Sequence, residues 1–188
     1  LTASSYGQYT RRLQRLFNTG SLKGNVYSAA RPGNTSGEYL EYLGASNIIR
    51  KINPHILVIM LGTNDVRIDG DHTETARFEE NMRKIIALIE NYKKPGSAKF
   101  FVFLATIPPI FKCDLATFDK TSQRRVEQEI VPVIRKLAGE KRLHLLDVYR
   151  FFEKKPHLLP GIHPSKEGYR AMAEFMFADI LKTCRKKQ

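Results

Sequence analysis

The chain contains His55-Ile56-Leu57-Val58-Ile59-Met60-Leu61-Gly62-Thr63-Asn64-Asp65, in which a nearly unbroken aliphatic run ends in a small polar turn. Such a run is typical of a parallel strand that is buried on both faces of its sheet. Ligands bind at the carboxyl ends of parallel strands, and the amide of Asn64 and the carboxylate of Asp65 follow this strand directly. The stretch therefore predicts a fold class and the place of a functional site.

Helical and strand patterns alternate on both sides of this stretch. They predict an α/β fold of three layers (α/β/α), with helices on both faces of a mostly parallel, flavodoxin-like sheet. Strands are expected at 25–30, 55–61, 99–106 and 143–148, and helices at 6–17, 38–50, 73–92, 121–137 and 165–183. Pro132 lies inside the fourth of these helices, so it should kink that helix or mark a joint between two pieces.

The length and composition suit one globular domain. With 188 residues, 42% hydrophobic and 27% charged, the chain is expected to form a single domain over 1–188. No apolar run approaches the roughly 20 residues that a membrane-spanning helix needs, so no transmembrane segment is predicted. The chain begins with Leu1 instead of Met, which leaves a leader peptide and the compartment undetermined.

The charge balance is strongly basic, with 31 Lys and Arg against 19 Asp and Glu and a formal net charge of +12. The basic residues are scattered, which favours solvated helix faces; examples are Arg11-Arg12, Arg124-Arg125 and Arg135-Lys136. Binding to an anionic polymer stays an alternative, but nucleic acid is not favoured because no recognition motif accompanies the charge. Cys113 and Cys184 are isolated, so neither a structural metal nor a disulfide framework is expected.

Three turns could bring catalytic groups to one sheet edge. His163 precedes Pro164 and a predicted helix, and its imidazole can act as a general base near neutral pH. Asn64 offers a side-chain N–H, and Gly33 offers a backbone N–H without a Cβ in the way, as an oxyanion needs. The structural alternatives are that Asn64 only caps a helix and Gly33 only makes a turn.

These turns resemble the sequence blocks of the SGNH, or GDSL, hydrolase superfamily. Gly62-Thr63-Asn64-Asp65 matches the Gly-x-Asn-Asp block, and Pro32-Gly33-Asn34-Thr35-Ser36 looks like the glycine block. Ile162-His163-Pro164 resembles the histidine block, and Leu1-Thr2-Ala3 looks like the residues after the Gly-Asp-Ser triplet that holds the nucleophile. The order and spacing of the blocks agree over essentially the whole chain.

The resemblance implies hydrolysis of carboxylic esters, often acetyl groups on sugars or acyl groups on lipids, without a cofactor. It implies that Gly33 and Asn64 donate to the oxyanion and that His163 is the catalytic base. Asp65 is expected to be a structural partner that orders its turn. The substrate would be a small-molecule, carbohydrate or lipid ester, and the oligomeric state is not indicated.

Two departures from the family pattern bear on activity. The nucleophilic serine and the first strand would precede Leu1, so a domain truncated at its N-terminus is expected; Ser4 and Ser5 should cap the first helix instead of replacing that serine. Pro160 stands three residues before His163, where the family has its Asp. A dyad helped by a backbone carbonyl, or another carboxylate such as Asp147 or Glu153, could compensate.

Two other functions remain compatible with these residues. A non-catalytic relative could use the same cleft to bind an acylated or carbohydrate ligand, which the Pro160 substitution would favour. A basic protein that docks on an anionic polymer is the other.

Overall fold

The computed structural model describes residues 3–70, 72–92 and 100–185. Eleven helices and strands are labelled in chain order: α1 (Ala3–Thr19), α2 (Ser36–Ala45), α3 (Ile48–Ile52), β1 (Ile56–Ile59), α4 (Thr75–Asn91), β2 (Phe101–Ala105), α5 (Lys120–Arg125), α6 (Val131–Glu140), β3 (His144–Leu146), α7 (Val148–Glu153) and α8 (Lys166–Arg185). Short 3₁₀ turns lie at Asn64–Val66 and Pro156–Leu158, and a π-helical turn at Val126–Ile130 precedes α6.

The strands form a parallel sheet in the order β1-β2-β3. Ile56 is aligned with Phe101, and Phe103 with His144, so β2 lies in the middle. Three of the four predicted strands are therefore confirmed, each shorter at its ends than its aliphatic run. The first residue of the predicted strand 99–106 lies outside the described residues.

The two faces of the sheet are covered by different helices. Val102 and Leu104 of β2 belong to one buried cluster, which includes residues of α4 and α6. Phe103 and Ala105 belong to a second cluster, with residues of α1 and α8. Because side chains alternate along a strand, β2 supplies both cores and the predicted three-layer α/β/α architecture is confirmed.

The predicted strand at 25–30 is wrong, because the residues from 23 to 31 form no strand within the described chain. The side chain of Gln14 in α1 satisfies part of this backbone: its Nε2 donates to the carbonyl of Gly24 at 2.9 Å, and its Oε1 accepts from the N–H of Val26 at 2.7 Å. A side chain thus takes the place of a neighbouring strand.

The predicted helix 38–50 forms two pieces, because the chain leaves α2 at Ser46, which is extended at φ −98° and ψ 145°. Helix α7 was not predicted from the sequence; Asp147 caps it by accepting from the N–H of Arg150. The first helix begins at Ala3, so Ser4 and Ser5 lie inside its first turn and do not precede it. Leu1 and Thr2 lie outside the described residues.

The expected joint at Pro132 is confirmed. Pro132 is the second residue of α6, directly after the π-helical turn. The N–H of Val131 donates to the carbonyl of Val126, five residues earlier. Since proline has no N–H to donate, a wider turn here avoids the clash that a continuous α-helix would suffer.

Candidate active site

The turn after β1 needs a glycine at its start. Gly62 has φ +125°, and a Cβ placed on it would lie 2.7 Å from Cγ2 of Ile130. The turn therefore packs tightly against the π-helical segment that carries Ile130. This close contact fixes where the chain emerges from the sheet and where Asn64 and Asp65 lie.

The side chain of Asn64 joins the turn after β1 to the glycine loop. Its Nδ2 donates to the carbonyl of Asn34 at 2.9 Å. Gly33, next to Asn34, is exposed and has φ +80°, the left-handed conformation that glycine adopts without strain. The two residues expected to donate to an oxyanion thus lie on segments that contact each other.

Asp65 holds the turn after β1 in place through buried hydrogen bonds. It is fully buried, and the N–H of Ser36 donates to both of its carboxylate oxygens at 3.0 Å. The hydroxyl of Ser36 donates to Asp65 Oδ1 at 2.5 Å and accepts from Nδ2 of Asn81 at 3.1 Å. Burial raises the pKa of Asp65, and the hydrogen bonds from Ser36 oppose that rise. These are the contacts of a structural carboxylate.

Arg125 is a site-supporting residue that the sequence analysis missed. It is buried, Nη1 donates to the carbonyl of Asp65 at 3.1 Å, and Nη2 donates to the carbonyl of Thr73 at 2.5 Å. Its Nε donates to Glu129 at 2.9 Å. The expectation of a solvated face is therefore wrong for Arg125. No local pattern distinguishes it from its exposed neighbour Arg124.

His163 lies in the loop before α8 and is half-buried. The loop is held by a hydrogen bond from the N–H of Ser165 to the carbonyl of Leu158 at 3.0 Å. Nδ1 of His163 is buried without a hydrogen-bond partner among the described residues. Burial lowers the pKa of His163, and the charge of Asp114 acts in the opposite direction. The neutral imidazole, which a general base requires, is therefore favoured at neutral pH.

The carboxylates named as possible replacements for the family's Asp have other surroundings. Asp147 accepts from Arg135 at 3.0 Å and from the hydroxyl of Thr106 at 3.2 Å, in addition to capping α7. Glu153 is exposed at the last position of α7. Asp114 was not among the predicted site residues; its Oδ1 accepts from the N–H of Ile162, one residue before His163, at 3.0 Å.

A cavity of about 740 Å³ lies along β1 and reaches the site. Its wall includes Asn64 and His163, and it includes Arg31 and Asn34, which flank Gly33 in the glycine loop. The segment at 23–31 and β1 both line the cavity, as do Phe17 of α1 and Ile180 of α8. The structure therefore brings Asn64 and His163 onto one cavity, while Gly33 is not part of its wall.

Of the other histidines, His55 lines the cavity just before β1, and His72 contacts Glu74 at 3.2 Å on the surface. Within the described ranges, no three His, Cys, Asp or Glu side chains converge as metal ligands would. None of the helices in that part of the chain is long and apolar enough to cross a membrane.

The parallel α/β/α fold and the turns at its carboxyl edge define a protein of the SGNH-hydrolase architecture. The chain belongs to the GDSL-like lipase/acylhydrolase family, whose sequence profile matches residues 1–171. A lipase/acylhydrolase from Enterococcus faecalis superimposes with a TM-score of 0.73 and 25% identity over 93% of this chain and 85% of its own. An acetylxylan esterase from Geobacillus stearothermophilus gives the same TM-score at 19% identity, over 92% of this chain and 80% of its own.

Two characterised relatives are similar in sequence. A multidomain esterase from Ruminococcus flavefaciens is 25% identical over 79% of this chain, and an acetylxylan esterase from Xylanibacter ruminicola is 25% identical over 94% of it. The matched regions span only 19% and 39% of those proteins.

Proposed function

We propose that this protein hydrolyses carboxylic esters, with a serine that precedes Leu1 as nucleophile, His163 as base, and Gly33 and Asn64 as oxyanion donors. The observation that carries the proposal is the shared cavity: Asn64 and His163 line it, and Gly33 lies between two residues that do. A base and a hydrogen-bond donor that share one cavity can act on the same carbonyl group.

The cavity also supports the place proposed for the nucleophile. Among the described residues β1 pairs with β2 only, so its other edge presents backbone N–H and C=O groups to the cavity. Such groups in a protein interior need partners. A parallel strand along this edge would pair with β1, and its carboxyl end would bring a serine to the same edge as Asn64. Family membership supports this arrangement.

The chemistry then runs through groups at this edge. The serine hydroxyl attacks the ester carbonyl and gives its proton to Nε2 of His163 in this mechanism, since Nδ1 is buried. The Gly33 N–H and the Asn64 amide donate to the oxyanion. His163 returns the proton to the leaving alcohol, and a water molecule repeats the sequence to release the acid.

Short acyl esters, acetyl groups on carbohydrates above all, are the substrate class we propose. The support is the naming of two relatives as acetylxylan esterases. The proposal is tested by measuring kcat/KM for p-nitrophenyl acetate and for p-nitrophenyl octanoate under the same conditions. Acetate release from acetylated xylan is measured as well. Preference for octanoate by more than about tenfold in kcat/KM would move the substrate to the lipid esters.

The experiment that tests the mechanism uses the full-length gene product. Asn64→Ala should lower kcat for p-nitrophenyl acetate by about 10² to 10³ with a small change in KM, because an oxyanion donor acts mainly in the transition state. Asn47→Ala is the control, since Asn47 is exposed and makes no side-chain cap. Equal kcat in the two variants would contradict the proposal.

Pro160, which cannot accept a hydrogen bond through its side chain, favours one second candidate: a ligand-binding protein without turnover. That function predicts that the full-length protein binds acetylated xylo-oligosaccharide in calorimetry and releases no acetate. Turnover that is lost in His163→Ala excludes it.

A further inference from the structure

The histidine proposed as base lacks the partner that a catalytic imidazole normally has. Nδ1 of His163 is buried without a hydrogen-bond partner among the described residues, and Pro160 offers no side-chain acceptor. An imidazole that takes up a proton during turnover needs a nearby negative charge and a fixed orientation. A carboxylate from another part of the chain would supply that charge.

Asp114 lies on the loop between β2 and α5 and contacts the two residues before His163. Its Oδ1 accepts from the N–H of Ile162 at 3.0 Å. Its carboxylate also lies against Gly161, because a Cβ placed on Gly161 would be 2.1 Å from Oδ2 and 2.5 Å from Cγ of Asp114. The carboxylate occupies the space that any side chain at position 161 would fill.

We propose that Asp114 is the positioning residue that replaces the acid missing at Pro160: it holds the His163 loop through Ile162 and supplies the negative charge that stabilises the imidazolium. This inference rests on the proposed function. Asp114 acts on His163 through the backbone and through space, without a direct hydrogen bond.

The charges around His163 agree with this assignment. Among the described side chains, Asp114 is the charged group whose field acts on His163, and it raises the pKa of His163 against the effect of burial. Asp147 is held by Arg135 and by the start of α7, and Glu153, which is exposed as Asp114 is, lies at the end of α7. Neither offers a comparable contact with the His163 loop in this structure.

The first test measures a property of His163 itself, its pKa, and does not depend on enzymatic activity. The pKa of His163 is measured by NMR of its Cε1–H, assigned with His163→Gln. Asp114→Asn should lower that pKa, since the amide oxygen can still accept from Ile162 but the negative charge is gone. Glu153→Gln, the matched control, should leave it unchanged. An unchanged pKa in Asp114→Asn overturns the proposal.

The second test disrupts the contact between Asp114 and Gly161 by changing the glycine. Gly161→Ala should push the Asp114 carboxylate away and lower the pKa of His163 although Asp114 is intact. In the double variant with Asp114→Asn, the pKa of His163 should fall little further than in Asp114→Asn alone, because both changes remove the same interaction. Full additivity of the two pKa shifts overturns the proposal.

The third test is kinetic, on the full-length gene product. Asp114→Asn should lower kcat for p-nitrophenyl acetate by about tenfold to a hundredfold at nearly constant KM, which is less than loss of a directly bonded triad acid causes. The acid limb of the kcat/KM profile should move to lower pH with the pKa of His163. Unchanged kcat in an active protein overturns the proposal. An inactive wild-type protein overturns the proposed function instead, whatever the NMR result.

Discussion

At the scale of single residues, the site is held by polar groups that are buried in pairs and chains. Ser36 links Asp65 of the turn after β1 to Asn81 of α4, and Arg125 reaches the backbone of the same turn. A buried polar group costs little when every donor meets an acceptor and much when one partner is removed. The position of Asn64 therefore depends on residues that do not face the cavity.

Asp65→Asn tests this dependence. An amide of the same shape would turn an N–H₂ toward the donors of Ser36, so we expect the free energy of unfolding to fall by about 2 to 4 kcal/mol in urea denaturation. Asp69→Asn is the control, because Asp69 is exposed beside Arg67 and a surface ion pair contributes about 0 to 1 kcal/mol. A loss no larger than that of the control would show that the carboxylate does not order the turn.

Residue roles differed in how far the sequence predicted them. Asn64 and His163 were predicted to approach one another because both follow the carboxyl edge of a parallel sheet, and they line one cavity. Asp114 and Arg125 were not predicted, because their partners Ile162 and Asp65 are 48 and 60 residues away in the chain. Side-chain contacts at such separations leave no periodic signal in one sequence.

At the scale of elements, the aliphatic runs and amphipathic repeats predicted the sheet and most helices. The segment at 25–30 has strand-like residues, yet a strand exists only through its hydrogen-bonded neighbour, and Gln14 contacts this backbone instead. The break between α2 and α3 was missed although Gly44, Ser46 and Asn47 are residues common at helix ends. The π-helical turn shows how the sequence around Pro132 is accommodated.

The junction between the turn after β1 and this π-helical turn makes a prediction. Gly62→Ala introduces a Cβ 2.7 Å from Ile130 at φ +125°, so the free energy of unfolding should fall by about 2 to 4 kcal/mol. The matched control is Gly139→Ala inside α6, where a Cβ has no heavy atom within 4 Å. That change should stabilise the protein by about 0.5 to 1 kcal/mol. Similar effects at the two positions would contradict the tight junction.

At the scale of the whole molecule, the fold has two buried clusters joined by β2 and a cavity beside β1. Residues of α1, α8, β1 and the segment at 23–31 line this cavity, so it lies in the layer of the sheet. We propose that one strand of a single domain fills the part beside β1, completes the sheet and carries the nucleophile, while the end lined by Asn64 and His163 stays open to the substrate. The nucleophile, the base and the oxyanion donors would then meet at the carboxyl edge of one completed sheet.

The measurement that tests this account most directly is mass-spectrometric mapping of a fluorophosphonate adduct on the full-length gene product. The account predicts one modified serine, in a peptide that precedes Leu1, and loss of labelling in His163→Ala while Glu153→Gln still labels. An adduct on a serine within residues 3–185, or a full-length protein that carries an upstream serine and neither labels nor releases p-nitrophenol, would contradict it.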